Sequence, residues 1–175
     1  LDNLYLEQFY IFGDSPFRKQ KNMINQLTPN TWLAERTLSI GYYALVEYSK
    51  VTPIPDFLID SYEWCDVTKV PSLLFDHDDV IKKALEHLRI NLYHKPIGFN
   101  LLERKFTLPE IQSLYETILD KKIDRRNFPK KLLNLGLIKD TNEVRKIGQH
   151  RSPRLYVFDK KNYNAALKDG IVLVI

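Results

Sequence analysis

Apolar and polar positions along this chain change their period about halfway. Leu4 to Phe12 (LYLEQFYIF) and Arg36 to Tyr48 are dense in aromatic and branched residues, and they predict two strands. The first closes at Gly13-Asp14 and the second runs into the turn-rich Pro53-Ile54-Pro55-Asp56. Tyr62 to Val67 predicts a third strand. Ser15 to Leu33 is polar and unpatterned, longer than most connections, and reads as an elaborated loop. From Ile81 the spacing lengthens: Ile81, Ala84, Leu85, Leu88 and Leu92 lie on one stripe of a helix that opens at Asp76-His77-Asp78-Asp79.

His94-Lys95-Pro96 marks a boundary near 93–97, because proline turns its predecessor away from helix. Beyond it, Thr107-Leu108-Pro109-Glu110 has the spacing of a capping box, with Ile111, Leu114, Tyr115 and Ile118 as the apolar face of the helix it starts. Asp120 to Ile123 make a turn. Asp124 is a natural N-cap for a second helix, with Phe128, Leu132 and Leu135 as its buried stripe and Gly136 just past its end. Pro129 removes the hydrogen bond to the carbonyl of Arg125, so this helix starts late or has an irregular first turn. Leu137-Ile138 and Leu155-Tyr156-Val157-Phe158 predict two strands joined by a basic loop. Two short helices followed by such a hairpin have the order of a winged helix-turn-helix.

Charge sharpens this picture. Residues 100–175 hold 16 Lys and Arg against 9 Asp and Glu, whereas residues 1–99 hold 10 against 13, an asymmetry hidden in the net +4. Arg125, Arg126, Asn127, Lys130 and Lys131 open the second helix, where a recognition helix presents itself to the DNA major groove. Arg145, Lys146, Arg151 and Arg154 occupy the wing and are candidates for phosphate or minor-groove contacts. The acidic run at 76–79 is a helix start rather than a metal site, since no HExxH or paired-ligand spacing accompanies it. His87 and His94 are read as structural or exposed. The single cysteine, Cys65, cannot form an internal disulfide and is expected to be a packed, inert thiol in a reducing compartment. No apolar stretch approaches the roughly 18 residues of a membrane helix, and Asp2 and Glu7 stand where a signal peptide would be basic. A soluble, cytoplasmic chain without a cofactor is expected. The apolar run Ile171-Val172-Leu173-Val174-Ile175 would be an aggregation-prone strand if exposed, and a partner edge is expected for it.

IGFNLL (97–102), FTLPEIQSLYETIL (106–119), DRRNF and KKLL (124–133) and RLYVFD (154–159) resemble the C-terminal module of Nudix-related transcriptional regulators, the NrtR-like family. LEQFYIFGD (6–14), LSIGYYALVE (38–47), the segment holding Trp64 and PSLLFDHDDVIKKALEHL (71–88) are similar to the later part of the same proteins' Nudix domain. The resemblance implies an α+β chain: a partial Nudix-like mixed sheet with a helix (1–95), then a winged helix-turn-helix domain (96–170). It further implies an effector-binding part, double-stranded operator DNA as partner, and a homodimer. In that family one branch responds to ADP-ribose and others respond to sugars. From the family-like placement of the pocket, Asp14, Arg36 and Tyr43 are candidates for binding a sugar or an ADP-ribose-like effector, with Tyr43 as core and Arg36 as an edge charge the competing reading. The chain departs from the family in its longer 15–35 segment and in Pro129 where a basic residue is usual, and the resemblance implies that it begins inside the Nudix domain. The competing enzyme is a Nudix hydrolase of the ADP-ribose pyrophosphatase type. No GxxxxxE followed by RExxEExG occurs in the 175 residues, so that chemistry would need a box upstream of Leu1 and no catalytic residue is assigned.

Overall fold

The computed structural model describes residues 5–13, 38–47, 49, 51–54, 61–73, 76–99, 101–146 and 152–175. The chain divides into two compact units, Leu1–Glu86 and His87–Ile175, the division falling inside a helix. Together they are a mixed α+β architecture of short antiparallel ladders and helices. Among the described residues, no helix is long and apolar enough to cross a membrane.

In the first unit β1 (Tyr5–Phe12) pairs antiparallel with β2 (Ser39–Leu45), from Tyr5 opposite Leu45 to Phe12 opposite Ser39. The register slips between Gln8 and Tyr10, so one extra residue is fitted at Phe9 and the alternation of faces changes there. Phe9, Phe12 and Tyr43 then gather on one face, where Tyr43 lies 6.3 Å from the Tyr5 ring and 5.9 Å from that of Phe9. Gly41 is demanded by this cluster, since a Cβ there would come within 2.6 Å of the Phe9 ring and 2.9 Å of Phe12. The other face carries Leu6, Ile11, Ile40 and Tyr42, each more than half exposed.

Two expectations fail in this unit. Tyr62 to Val67 forms no strand: residues 61–65 take no regular structure, and Asp66 turns the chain by accepting from the backbone N–H and hydroxyl of Thr68. Alternating apolar residues make a strand only where a neighbouring strand meets their backbone. Cys65 is exposed rather than packed, and its thiol donates to Glu63 Oε1 at 3.1 Å. That bond and the adjacent carboxylate raise its pKa, so it stays protonated in the open.

α1 (His77–Asn91) carries Asp78 and Asp79 in its first turn and Arg89 in its last, matching the helix dipole. Asp78 also accepts from the Leu73 N–H and the Ser72 hydroxyl, fastening the preceding segment to the helix start.

The second unit has the denser core. α2 (Leu108–Leu119) buries Ile111, Gln112, Tyr115 and Leu119; α3 (Asn127–Asn134) buries Phe128, Pro129 and Leu132. β3 (Ile138–Val144) and β4 (Arg154–Phe158) form an antiparallel ladder, widened by a bridge between Phe106 and Tyr156. The Tyr115 ring packs tilted against Phe128 at 4.9 Å, and its hydroxyl accepts from the Ile97 N–H. A second aromatic group, Phe99, Phe106, Phe158 and Tyr163, joins the start of the unit to α4 (Lys160–Asp169). α4 escaped the sequence reading. Asp159 caps it, accepting from the N–H groups of Lys161 and Asn162. Pro96 and Ile97, placed by sequence at a boundary, are buried in this unit.

Candidate nucleic-acid interface

The capping box at Thr107 is present in a modified form. Glu110 Oε2 accepts from both the backbone N–H and the hydroxyl of Thr107, at 2.7 and 3.0 Å, and Pro109 sits in the first turn, where a missing N–H costs nothing. The turn to the next helix hangs on one carboxylate. Glu116 accepts from the Ile123 N–H, from Gln112 Nε2 and from Lys122 Nζ, while Gln112 also donates to the Ile123 carbonyl at 3.1 Å. Three donors aimed at one carboxylate pull its pKa from 4.5 down to about 2. A depressed carboxylate stabilises the fold fully above its unfolded pKa near 4.5 and loses that contribution as pH falls through about 2. The Ile123 amide resonance should therefore titrate with a midpoint near 2, and Glu116→Gln should abolish the step. A midpoint in the ordinary carboxylate range would show that the turn is held otherwise.

The start of α3 resolves the ambiguity posed by Pro129. Phe128 N–H donates to the Asp124 carbonyl, the first helical bond, and Asp124 Oδ1 accepts from the N–H groups of Arg126 and Asn127 at 2.7 and 2.9 Å. Asp124 thus performs the capping chemistry expected of it. Pro129 cannot make the next bond, so regular helix begins only at Asn127, with Arg125 and Arg126 in a turn before it. At the other end Gly136 takes φ 65°; its N–H reaches the Leu133 carbonyl and the Leu137 N–H reaches that of Leu132, a Schellman ending. The helix stops before Leu135, which is 40% exposed rather than part of the buried stripe.

With Phe128, Pro129 and Leu132 inward, Asn127, Lys130 and Asn134 stand at the centre of the outer face, and Arg126 and Lys131 flank it. Arg125, Arg126, Asn127 and Lys130 are exposed. Asn134, which sequence reading passed over, is exposed on the same face one turn beyond Lys130; its spacing of seven from Asn127 was the available signal. Lys131 differs from its neighbours, because its ammonium donates to the Val174 carbonyl.

The wing cations also fall into two groups. Arg145 is half-buried, with its guanidinium on Glu110, near Glu103 and on the Lys105 carbonyl, where it braces the wing against the start of α2. Arg154 pairs with Asp140 across the hairpin at 2.8 Å. Lys146 is exposed and makes no ion pair among the described residues. Arg151 lies outside the described residues, as do Asp14 and Arg36 of the expected effector site. Lys146→Gln should lower the slope of log affinity for DNA against log salt by about 0.9, the signature of one lost phosphate contact. Arg145→Gln should instead lower the melting temperature, since it unpairs Glu110 at the helix cap. Equal effects of the two would contradict this division of labour.

Tyr43, the described member of the expected effector site, is half-buried among Tyr5 and Phe9, where it serves the sheet. At the C-terminal end of β1, away from Tyr43, lies a cleft of about 280 Å³ lined by Tyr10, Ile11, Phe12, Gly13, Asp76, Asp79, Lys82 and Lys83, with the Lys83 ammonium 5.9 Å from the Tyr10 ring centroid.

Comparison with known proteins places this geometry. Residues 98–158 match the family of the NrtR DNA-binding winged helix domain, which bears out the resemblance read from the C-terminal half. The chain is 26% identical over 155 residues to the ADPR responsive transcriptional repressor NtrR of Acinetobacter baylyi, covering 86% of this chain and 60% of that protein. It therefore spans about three fifths of that relative's length. Among solved structures it is similar to Shewanella oneidensis NrtR complexed with a 27mer DNA, with a TM-score of 0.63 and 24% identity over 91% of this chain and 67% of that one. A second crystal structure of Shewanella oneidensis NrtR gives the same score and identity over 66% of its length.

Proposed function

We propose that this chain is part of an effector-responsive transcriptional regulator of the NrtR type, which binds operator DNA through its winged helix and senses an ADP-ribose-like ligand through a Nudix-like region. The observation that carries the reading is the exposed group at α3: Asn127 and Lys130 on its outer face and Arg125 and Arg126 in the turn before it, on a helix whose start and end are fixed by local bonds and whose inner face is buried. The winged-helix match over 98–158 and the naming of the Acinetobacter relative as an ADPR responsive repressor support it. We place the functional division at 95/96, with the Nudix-like part before it. For the effector we favour the cleft beside Gly13, where Lys82 and Lys83 suit a pyrophosphate and Tyr10 a ring, with Asp76 and Asp79 also in its lining. The hydrolase alternative would need a Nudix box, and no GxxxxxE followed by RExxEExG occurs in these 175 residues.

A homodimer on a near-palindromic site completes the proposal, because one short helix with a few free cations holds DNA weakly at physiological salt. Selection of duplexes from a random pool by the purified chain, followed by titration of the winner with ADP-ribose, tests both halves. Enrichment of an inverted repeat, a two-to-one complex by light scattering and release of DNA by ADP-ribose are expected. Failure to enrich any sequence would remove the regulator reading; a one-to-one complex would remove the dimer alone.

A further inference from the structure

The apolar run after Gly170 is neither free nor part of a sheet. It lies along the turn that follows α1: the Ile171 N–H donates to the His94 carbonyl and the Leu173 N–H to the Tyr93 carbonyl, both at 2.8 Å. Leu173 is 1% exposed, while Val172 and Val174 alternate outward at 74% and 64%. The Val174 carbonyl then accepts from the ammonium of Lys131, on the flank of α3. One extended segment thus ties the turn after α1 to the helix proposed to read DNA. Tyr93 is linked to the same module a second time, its hydroxyl accepting from Lys121 Nζ at 2.7 Å, and Arg89 of α1 donates to the Ile118 carbonyl at 2.9 Å.

We propose that Ile171–Ile175 is a regulatory strap on the recognition helix. Seated, it keeps Lys131 on a neutral carbonyl and away from DNA; unseated, it frees Lys131 to become an additional phosphate contact. A phosphate oxygen is the stronger partner for an ammonium, because both members of the pair are charged. Two backbone bonds and one buried leucine hold the strap, few enough for a shift of the 93–94 turn to change the balance between the two states. The seat belongs to the turn leaving α1, so displacement of that turn is communicated to DNA affinity through Lys131. The inference rests on the reading of α3 as the DNA-contacting helix.

The test uses the full chain and a random-sequence duplex of about 30 base pairs, long enough for three helical turns, with binding followed by anisotropy across a fourfold range of salt. Leu173→Asp should unseat the strap and steepen the salt slope by about 0.9, an additional loss of about 3.5-fold over that range. Adding Lys131→Gln to it should cancel the change, while Lys131→Gln alone should leave the slope nearly as it was. An unchanged slope in folded Leu173→Asp, or steepening that survives Lys131→Gln, overturns the strap. Should Leu173→Asp unfold, hydrogen exchange in the unaltered protein decides: the Ile171 and Leu173 amides should lose protection when duplex binds, and retained protection overturns the proposal. Lys130→Gln separates the two layers of inference. If it weakens binding while the strap variants do nothing, only the strap falls; if it too is silent, the DNA-contacting role of α3 falls with it.

Discussion

Replacing Arg126 and Lys130 together by alanine is expected to lower affinity for the selected operator by one to two orders of magnitude and leave the melting temperature unchanged. A bidentate arginine contact to guanine is worth about 1–3 kcal/mol, and a lysine on phosphate adds about one unit of salt slope. Neither side chain makes an ion pair among the described residues, and both are exposed, so the fold loses little on their removal beyond the attraction of Arg126 for the exposed Asp124 carboxylate. The capping bonds survive because Asp124 uses the backbone N–H groups of Arg126 and Asn127 rather than side chains. Affinity held within twofold at moderate salt would take α3 off the DNA.

The largest effect on stability is expected at Tyr115. Burial forces its hydroxyl's pKa far upward, the ring packs on Phe128, and the oxygen accepts from Ile97. Tyr115→Ala should cost about 3–5 kcal/mol, the range for emptying a buried aromatic site. Tyr115→Phe keeps the ring and should cost only about 1 kcal/mol, for the Ile97 N–H left without its acceptor. Urea unfolding of the two variants separates packing from hydrogen bonding. A loss for the phenylalanine variant equal to that for alanine would mean that the hydroxyl, and not the ring, holds α2 to the start of the unit.

What could be read ahead of the structure was the chemistry confined to a few neighbouring residues. Asp124 as a cap, Gly136 as the left-handed stop and Pro129 as the break in the first turn each depend on backbone groups within five residues, and each stands where the sequence put it. Tyr62 to Val67 failed because strand formation is settled by a partner elsewhere in the chain. Leu135 failed because its periodicity continued past the point where Gly136 ends the helix. The division of the cations into free and engaged was beyond sequence altogether: Arg145 finds Glu110 at a distance of 35 residues, and Lys131 finds Val174 at 43. α4 was passed over because its polar run, KKNYNAALKD, buries only Tyr163 and Ala166.

That last helix decides where the molecule can be cut. A fragment trimmed to 98–158 would retain every residue proposed to meet DNA, yet it would end one position short of Asp159, whose N–H donates to the Leu137 carbonyl and whose carboxylate pairs with Lys139. It would also strip Tyr163 from the Phe99 and Phe158 rings and bare the site now filled by Leu173. Such a fragment should express as a sticky, loosely packed protein. The smallest piece worth isolating for binding work runs from His87 to Ile175, the whole of the second compact unit.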